Sequence, residues 1–248
     1  MTELIGPNER LDELNPYGLY ILQHPDAFRF GTDAVLLAHF ARVKKNQRVL
    51  DLGTGTGILP LLMTALFHPK HIVGVEIQPP MADMARRSVA YNDLTDKIEI
   101  VPGDYTKQPF LSTLGQFEIV VCNPPYGKLG HGECSMDTAH ALARFEICAD
   151  FSEICMAANK ALVSMGHFFC IHQTNRLSEL LLTLQQADLM PKRLKFVHGS
   201  QKKVSNLVLI ECIKGGKEGL KVEPPLFLTD ADGKTSATMH TIYQGGLL

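Results

Sequence analysis

Short uninterrupted apolar runs, each closed by Gly, Asp, Asn or Pro, alternate along the chain with stretches whose apolar residues recur every three or four positions. The first pattern reads as strands buried on both faces and the second as helices packed on them. From residue 48 the order is a strand over 48–52, then a helix running through Phe67 with Leu59, Leu62, Met63 and Leu66 inward. A strand over 71–77 precedes a helix opened by Pro79-Pro80 that buries Met81, Met84, Ala85, Ser88 and Val89. Strands over 97–101 and 117–122 follow, then a helix over 140–162, a strand over 166–172 and a helix over 176–186. Residues 194–197 and 207–213 succeed one another with no helix between, so they pair antiparallel. The expected fold is α/β and Rossmann-like: a seven-stranded, mostly parallel sheet with its last strand antiparallel and helices on both faces.

Before this core, residues 9–14 predict a helical turn, and 19–22 and 28–30 two short strands turning at His24-Pro25-Asp26. Gly31-Thr32-Asp33 then supplies a cap for a helix with Leu36, Leu37, Phe40 and Ala41 inward. One domain over 1–248 is expected, with an N-terminal module over 1–42 and the Rossmann-like core plus a C-terminal tail over 43–248. The tail, with Pro224-Pro225 and a turn at Asp232-Gly233, shows no firm period. Residues 128–137, polar and glycine-rich, read as a mobile loop.

At 248 residues, 45% of them hydrophobic, the chain suffices for one large core. With no apolar run of the about 18 residues a membrane span needs, and no basic or long apolar stretch at its start, it is expected to be soluble, cytoplasmic and free of membranes. Cysteines 122, 134, 148, 155, 170 and 212 form no Cys-x-x-Cys pair, so reduced core thiols are expected, and neither a metal site nor a disulfide framework. A net charge of −2 excludes a histone-like mode of nucleic-acid binding. Lys192, Arg193, Lys195, Lys202 and Lys203, with His198 and no acid among them, nevertheless form a basic run. It reads as a solvated face or, beside a substrate mouth, as a phosphate-contacting surface.

The candidate chemistry sits at strand ends. Asp51-Leu-Gly53-Thr-Gly55-Thr-Gly57 has glycines at every second position, whereas a dinucleotide fingerprint has its third glycine one residue later. Such glycines permit close backbone approach by a ligand, and Asp51 puts an acid at the end of the strand before them. Glu76 closes the second strand, where a carboxylate can accept both hydroxyls of a ribose, and Ile77 can lie on an adenine face. Asp104, in Gly103-Asp104-Tyr105, puts an acid just after the third strand. After the fourth strand, Asn123-Pro124-Pro125-Tyr126 holds two acceptors, Asn123 Oδ1 and the Pro124 carbonyl, beside an aromatic face that suits a planar NH2-bearing substrate. Cys122 lies inside the strand and has no basic partner in sequence, which argues against a nucleophilic role. Residue types alone leave open plain structural turns at both motifs, a surface acid at Glu76 and turn chemistry at Asp104.

The glycine segment resembles the cofactor motif of S-adenosylmethionine-dependent methyltransferases. Asn123-Pro-Pro-Tyr126 resembles the motif of those that modify exocyclic amino groups of adenine or glutamine side-chain amides. Phe28-Arg-Phe30-Gly-Thr32-Asp33, Gly74-Val-Glu76-Ile-Gln-Pro-Pro-Met and Ala143-Arg144-Phe145-Glu146 extend the similarity, over roughly residues 19–228, to bacterial valine-tRNA adenine N6-methyltransferases. The resemblance implies a class I methyltransferase fold and S-adenosylmethionine as cofactor, held by Phe30, Thr32, Asp51, Gly53, Gly55, Gly57, Glu76, Ile77, Asp104, Tyr105 and Asn123. It implies catalysis by Asn123, Pro124 and Tyr126, and an RNA substrate, a tRNA anticodon loop, met by Pro125, Tyr126, Arg144 and the lysine run. Phe145 stands where that family pattern has His, a departure that touches the RNA target more than the chemistry. Glutamine N5-methylation on a protein and a non-catalytic cofactor- and RNA-binding module are the alternatives.

Overall fold

The apolar strand that opens the core, β3 (Arg48–Leu52), lies at the centre of the sheet, between β4 (His71–Glu76) and β6 (Phe117–Cys122). The structure is a computed structural model that describes residues 4–25, 31–107, 109–125 and 150–247. Beyond β4 stands β5 (Ile98–Pro102) and beyond β6 stands β7 (Leu162–Gln173), all parallel to β3. β9 (Ser205–Lys214) runs antiparallel to β7, and β8 (Leu189–Ser200) antiparallel to β9. These are the seven strands the apolar runs predict. The sheet is nine-stranded, however, because the tail adds β10 (Lys221–Val222) and β11 (Leu226–Thr229), both parallel to β8. Two- and four-residue strands separated by two prolines carry too little period to be read in advance.

Helices cover both faces. α1 (Thr32–Phe40), α2 (Ile58–Phe67) and α3 (Pro79–Tyr91) pack with Val49, Ile72, Ile119, Val121 and Phe169 on one side. α4 (Phe110–Thr113), α5 (Phe151–Ala161) and α6 (Leu177–Gln186) pack with Leu50, Val73, Val120, Phe168 and Ile210 on the other. α5 starts in a reciprocal capping box of Asp150 and Glu153. Its run ends at Ala161, one residue short of expectation, because Leu162 already belongs to β7. α7 (Ala237–Tyr243) buries Met239 and Ile242 in the first core. The expected stretch of helix over 140–149 and the loop over 128–137 lie outside the described residues.

The helical turn expected over 9–14 is instead a strand. β1 (Arg10–Leu14) forms a hairpin with β2 (Leu19–Gln23). Asn15 to Gly18 reverse the chain, Gly18 with φ 63°, and Tyr17 N–H donates to Leu14 O. Five residues cannot hold a helix against a hairpin partner that satisfies their backbone groups. The second strand expected here, 28–30, lies outside the described residues. α3 then closes the outer edge of β2 with side chains. Asn92 Oδ1 accepts Tyr20 N–H at 2.8 Å, its Nδ2 donates to Tyr20 O at 2.6 Å, and Ser88 Oγ accepts Leu22 N–H at 2.9 Å. Substituting Asn92→Ala leaves both Tyr20 groups unpaired. It should lower stability by about 1–3 kcal/mol, read as a fall in the thermal midpoint.

Candidate active site

β3, β4, β5 and β6 are parallel, so their carboxyl ends share one edge of the sheet, the place of the ligand crevice in open α/β folds, and residues the sequence singles out stand at or just beyond these ends. At the end of β3 the chain turns through Gly53, Gly55 and Gly57 with φ of 75°, 58° and 89°, a region other residues rarely adopt. The N–H groups of Gly53 and Thr54 both donate to Val75 O at 2.9 Å, tying the turn to β4. Among the described residues nothing lies within 4 Å of a Cβ built on Gly53, which leaves the turn's backbone bare on that side.

Glu76, at the end of β4, is buried and accepts Gly55 N–H on Oε2 and Gln78 N–H on Oε1, each at 2.9 Å. Burial raises its carboxyl, and those N–H groups oppose the rise. Ile77 beside it is 40% exposed, an apolar face left open in the crevice. After β5, Gly103 N–H donates to Glu76 O. A Cβ on Gly103 would stand 2.4 Å from the Phe110 ring, so only glycine lets that ring lie on the backbone that carries Asp104. Asp104 Oδ1 accepts Thr106 N–H at 2.8 Å and the Thr106 hydroxyl at 2.6 Å; Oδ2 carries none of these bonds. Tyr105 packs half-buried on the second core.

Asp51 is the anomaly. It is 1% exposed, and neither carboxylate oxygen has a hydrogen-bond partner among the described residues. Burial pushes its carboxyl up to about 7; the nearby Thr54 hydroxyl works against that shift, and the Glu76 charge adds to it. A buried, unpartnered carboxylate costs stability and is the mark of a site built for a cation. Three carboxylates at adjacent strand ends, Asp51, Glu76 and Asp104, with left-handed glycine backbone between them, form an acceptor set that would fit the ammonium, ribose hydroxyls and adenine amino group of S-adenosylmethionine.

β6 pairs Val121 with Asp51, so Asn123 and Pro124 emerge beside the glycine turn. Cys122 Sγ donates to Leu52 O at 3.2 Å, a link between the two motifs. Burial, with the Asp51 charge, drives that thiol far up, so it offers no thiolate. Asn123 is half-buried, Pro124 buried and Pro125 exposed. Thr32 opens α1, which packs on α2. Phe30, Tyr126 and Arg144 lie outside the described residues.

The basic run is not one surface. Arg193 is 6% exposed, stacked on Phe40 at 4.1 Å and donating to Phe40 O, with Glu211 at 3.0 Å and Glu223 at 3.4 Å; it holds α1 and the tail to the sheet and cannot reach a phosphate. Lys195, on the same strand face, lies 3.4 Å from Glu223. Lys192 donates to Lys217 O and Glu218 O in the loop after β9, on the side away from the crevice. Strand alternation sends these neighbours to opposite faces. Lys202 and Lys203 remain: exposed in the β8–β9 turn, they stand on the carboxyl side of the sheet with Asn123, because β8 runs in the direction of β7. Thr54 and Gly74, which the sequence reading passed over, face Asp51. The signal was a glycine inside a buried strand, which marks a close approach.

Comparison with known proteins gives the family. The family model described as "methyltransferase small domain" matches residues 24–196. A tRNA1(Val) (adenine(37)-N6)-methyltransferase of Porphyromonas gingivalis is 31% identical, over 75% of this chain and 74% of its own. One from Aeromonas salmonicida is also 31% identical, over 66% and 67%. Among solved structures, a predicted O-methyltransferase from Agrobacterium tumefaciens superposes with a TM-score of 0.69 at 21% identity, covering 87% of this chain and 98% of that one. The 16S rRNA N2 G1207 methyltransferase of T. thermophilus, in complex with AdoMet and guanosine, gives 0.59 at 19% identity, covering 84% and 51%. With the family model spanning most of its length and relatives aligned over two thirds or more of theirs, the chain belongs to the methyltransferase small domain family of S-adenosylmethionine-dependent enzymes.

Proposed function

We propose that this protein methylates the exocyclic N6 of an adenine in RNA, and that the RNA is a tRNA read at its anticodon loop. The observation that carries the reading is the juxtaposition across β3 and β6. An unpartnered carboxylate and a glycine turn suited to the cofactor stand beside an Asn-Pro-Pro strand end suited to an sp2 amino group. The tRNA and the position come from the relatives, whose names specify adenine 37 of tRNA1(Val).

S-adenosylmethionine, when bound, supplies a methyl group on a positively charged sulfur. Asp51 takes its ammonium, Glu76 its ribose hydroxyls, Asp104 its adenine amino group and Ile77 its adenine face, while Gly53, Gly55 and Gly57 allow backbone approach. By resemblance, Phe30, Thr32 and Tyr105 complete the enclosure. The substrate NH2 has its lone pair delocalised into the ring and is a weak nucleophile. Asn123 Oδ1 and the Pro124 carbonyl accept its two hydrogens, draw the nitrogen toward tetrahedral geometry and aim its lone pair at the methyl. Two consecutive prolines fix those acceptors, since each has a locked φ. By resemblance, Tyr126 would stack on a base presented out of its helix, and Pro125 and Arg144 would be further substrate contacts. Lys202 and Lys203 meet phosphate without reading sequence.

Three outcomes follow from these roles. Purified protein with labelled cofactor should modify total tRNA from a strain lacking it, giving N6-methyladenine on nucleoside mass spectrometry; label found instead in a protein glutamine would reassign the substrate. Asn123→Ala should reduce that transfer by about a hundredfold or more, while S-adenosylhomocysteine affinity measured by calorimetry changes less than about threefold. Asp51→Asn should separate folding from function. A carboxyl raised to about 7 in the fold lowers stability progressively as pH rises from its unfolded value toward 7. The ligand-free variant should therefore be more stable than the parent at pH 8, by up to about 4 kcal/mol, with the gain shrinking toward pH 4 and cofactor affinity lost.

A further inference from the structure

We propose that Thr54, seated on Gly74, is a positioning residue whose hydroxyl donates to the Asp51 carboxylate and holds it in the charged, oriented form that an incoming ammonium needs. The proposal rests on the reading of Asp51 as the cofactor's ammonium partner.

Gly74 is the register partner of Asp51 on β4, so the two share a face of the sheet. A Cβ at Gly74 would stand 2.8 Å from Thr54 Oγ1 and 3.0 Å from Thr54 Cβ. The threonine side chain therefore occupies the space a larger residue would fill beside Asp51. Its backbone is fixed on both sides, with N–H donating to Val75 O and C=O accepting Gly57 N–H, each at 2.9 Å. Rotation about χ1 is the freedom left to the hydroxyl.

Thr54 is 3% exposed, its hydroxyl has no partner among the described residues, and both Asp51 oxygens are in the same condition. A buried donor and a buried acceptor left unmatched side by side each carry a desolvation cost of about 1–3 kcal/mol, which one rotation relieves. A hydroxyl donated to a carboxylate favours its charged form.

Among the described residues few other groups compete for Asp51. Glu76 at the end of β4 opposes its ionisation, and the Cys122 thiol on β6 is neutral. α2 carries no titratable side chain. α1 carries Asp33 in its first turn and His39 in its last, the latter within 3.1 Å of the Tyr17 hydroxyl.

The test is binding of S-adenosylhomocysteine to the full-length protein by calorimetry between pH 6 and 8, in two buffers of different ionisation enthalpy. Its ammonium stays charged over that range, so the pH dependence belongs to the protein. The parent should bind more tightly as pH rises and release protons on binding. Thr54→Val, nearly isosteric, should bind about tenfold more weakly at pH 6.5, recover part of the deficit by pH 8, and release more protons than the parent at pH 8. Thr54→Ser, which keeps the donor, should stay within about threefold of the parent throughout. A Thr54→Val deficit equal at every pH, or none, overturns the proposal while leaving the cofactor reading intact. No binding by the parent at any pH overturns that reading, and the proposal with it.

Discussion

The site depends on one pairing, β6 against β3. The chain lays down β3, β4 and β5 in one direction across the sheet and then crosses back to place β6 on the other side of β3. At such a reversal the connections leave to opposite faces, and the carboxyl ends of the two central strands are left uncovered. Three ladder pairs, from Val49 with Ile119 to Asp51 with Val121, fix the register. A slip of one residue would turn Asp51 to the other face and carry Asn123 away from the glycine turn. The Cys122 thiol, bonded to Leu52 O, adds a side-chain tie at the point where the two motifs part. The cysteine that sequence position might cast as a nucleophile is thus part of the frame.

Asp51 shows what the frame gives up. A carboxylate in the middle strand of a parallel sheet, buried and without a hydrogen-bond partner among the described residues, opposes folding, and the surrounding apolar packing has to offset it. Val49, Leu50 and Leu52, its neighbours on β3, are all 1% exposed or less. Electrostatic strain of this kind persists where a ligand removes it, and the fold then gains from binding what it lost in assembly.

The core of the fold was legible because its strands are buried on both faces and read as continuous apolar runs, while its helices keep a clear 3.6 period. The glycine turn and the acids at strand ends were legible for the same reason: the strand ends themselves could be located. Three things were not. The hairpin over 10–23 is held by partners distant in sequence, Ser88 on α3 and Asn92 just past its end. The lysine run read as a single surface because a linear sequence hides alternation; Arg193 lies inside the protein against Phe40, Glu211 and Glu223. Thr54 reads as filler between glycines until Gly74 is placed across the strand from Asp51.

The tail finishes the sheet in a way that bears on how copies of the protein treat one another. Without β10 and β11, the twelve residues of β8 would form an open rim of unpaired backbone groups, a template for another chain. The tail covers that rim with a two-residue and a four-residue strand, broken by Pro224-Pro225 and carrying Lys221. Prolines have no N–H to offer and a short charged strand resists stacking, so the new border is a poor substrate for edge-to-edge association. The segment with the least regular sequence thereby covers the edge of the long strand that leads to Lys202 and Lys203.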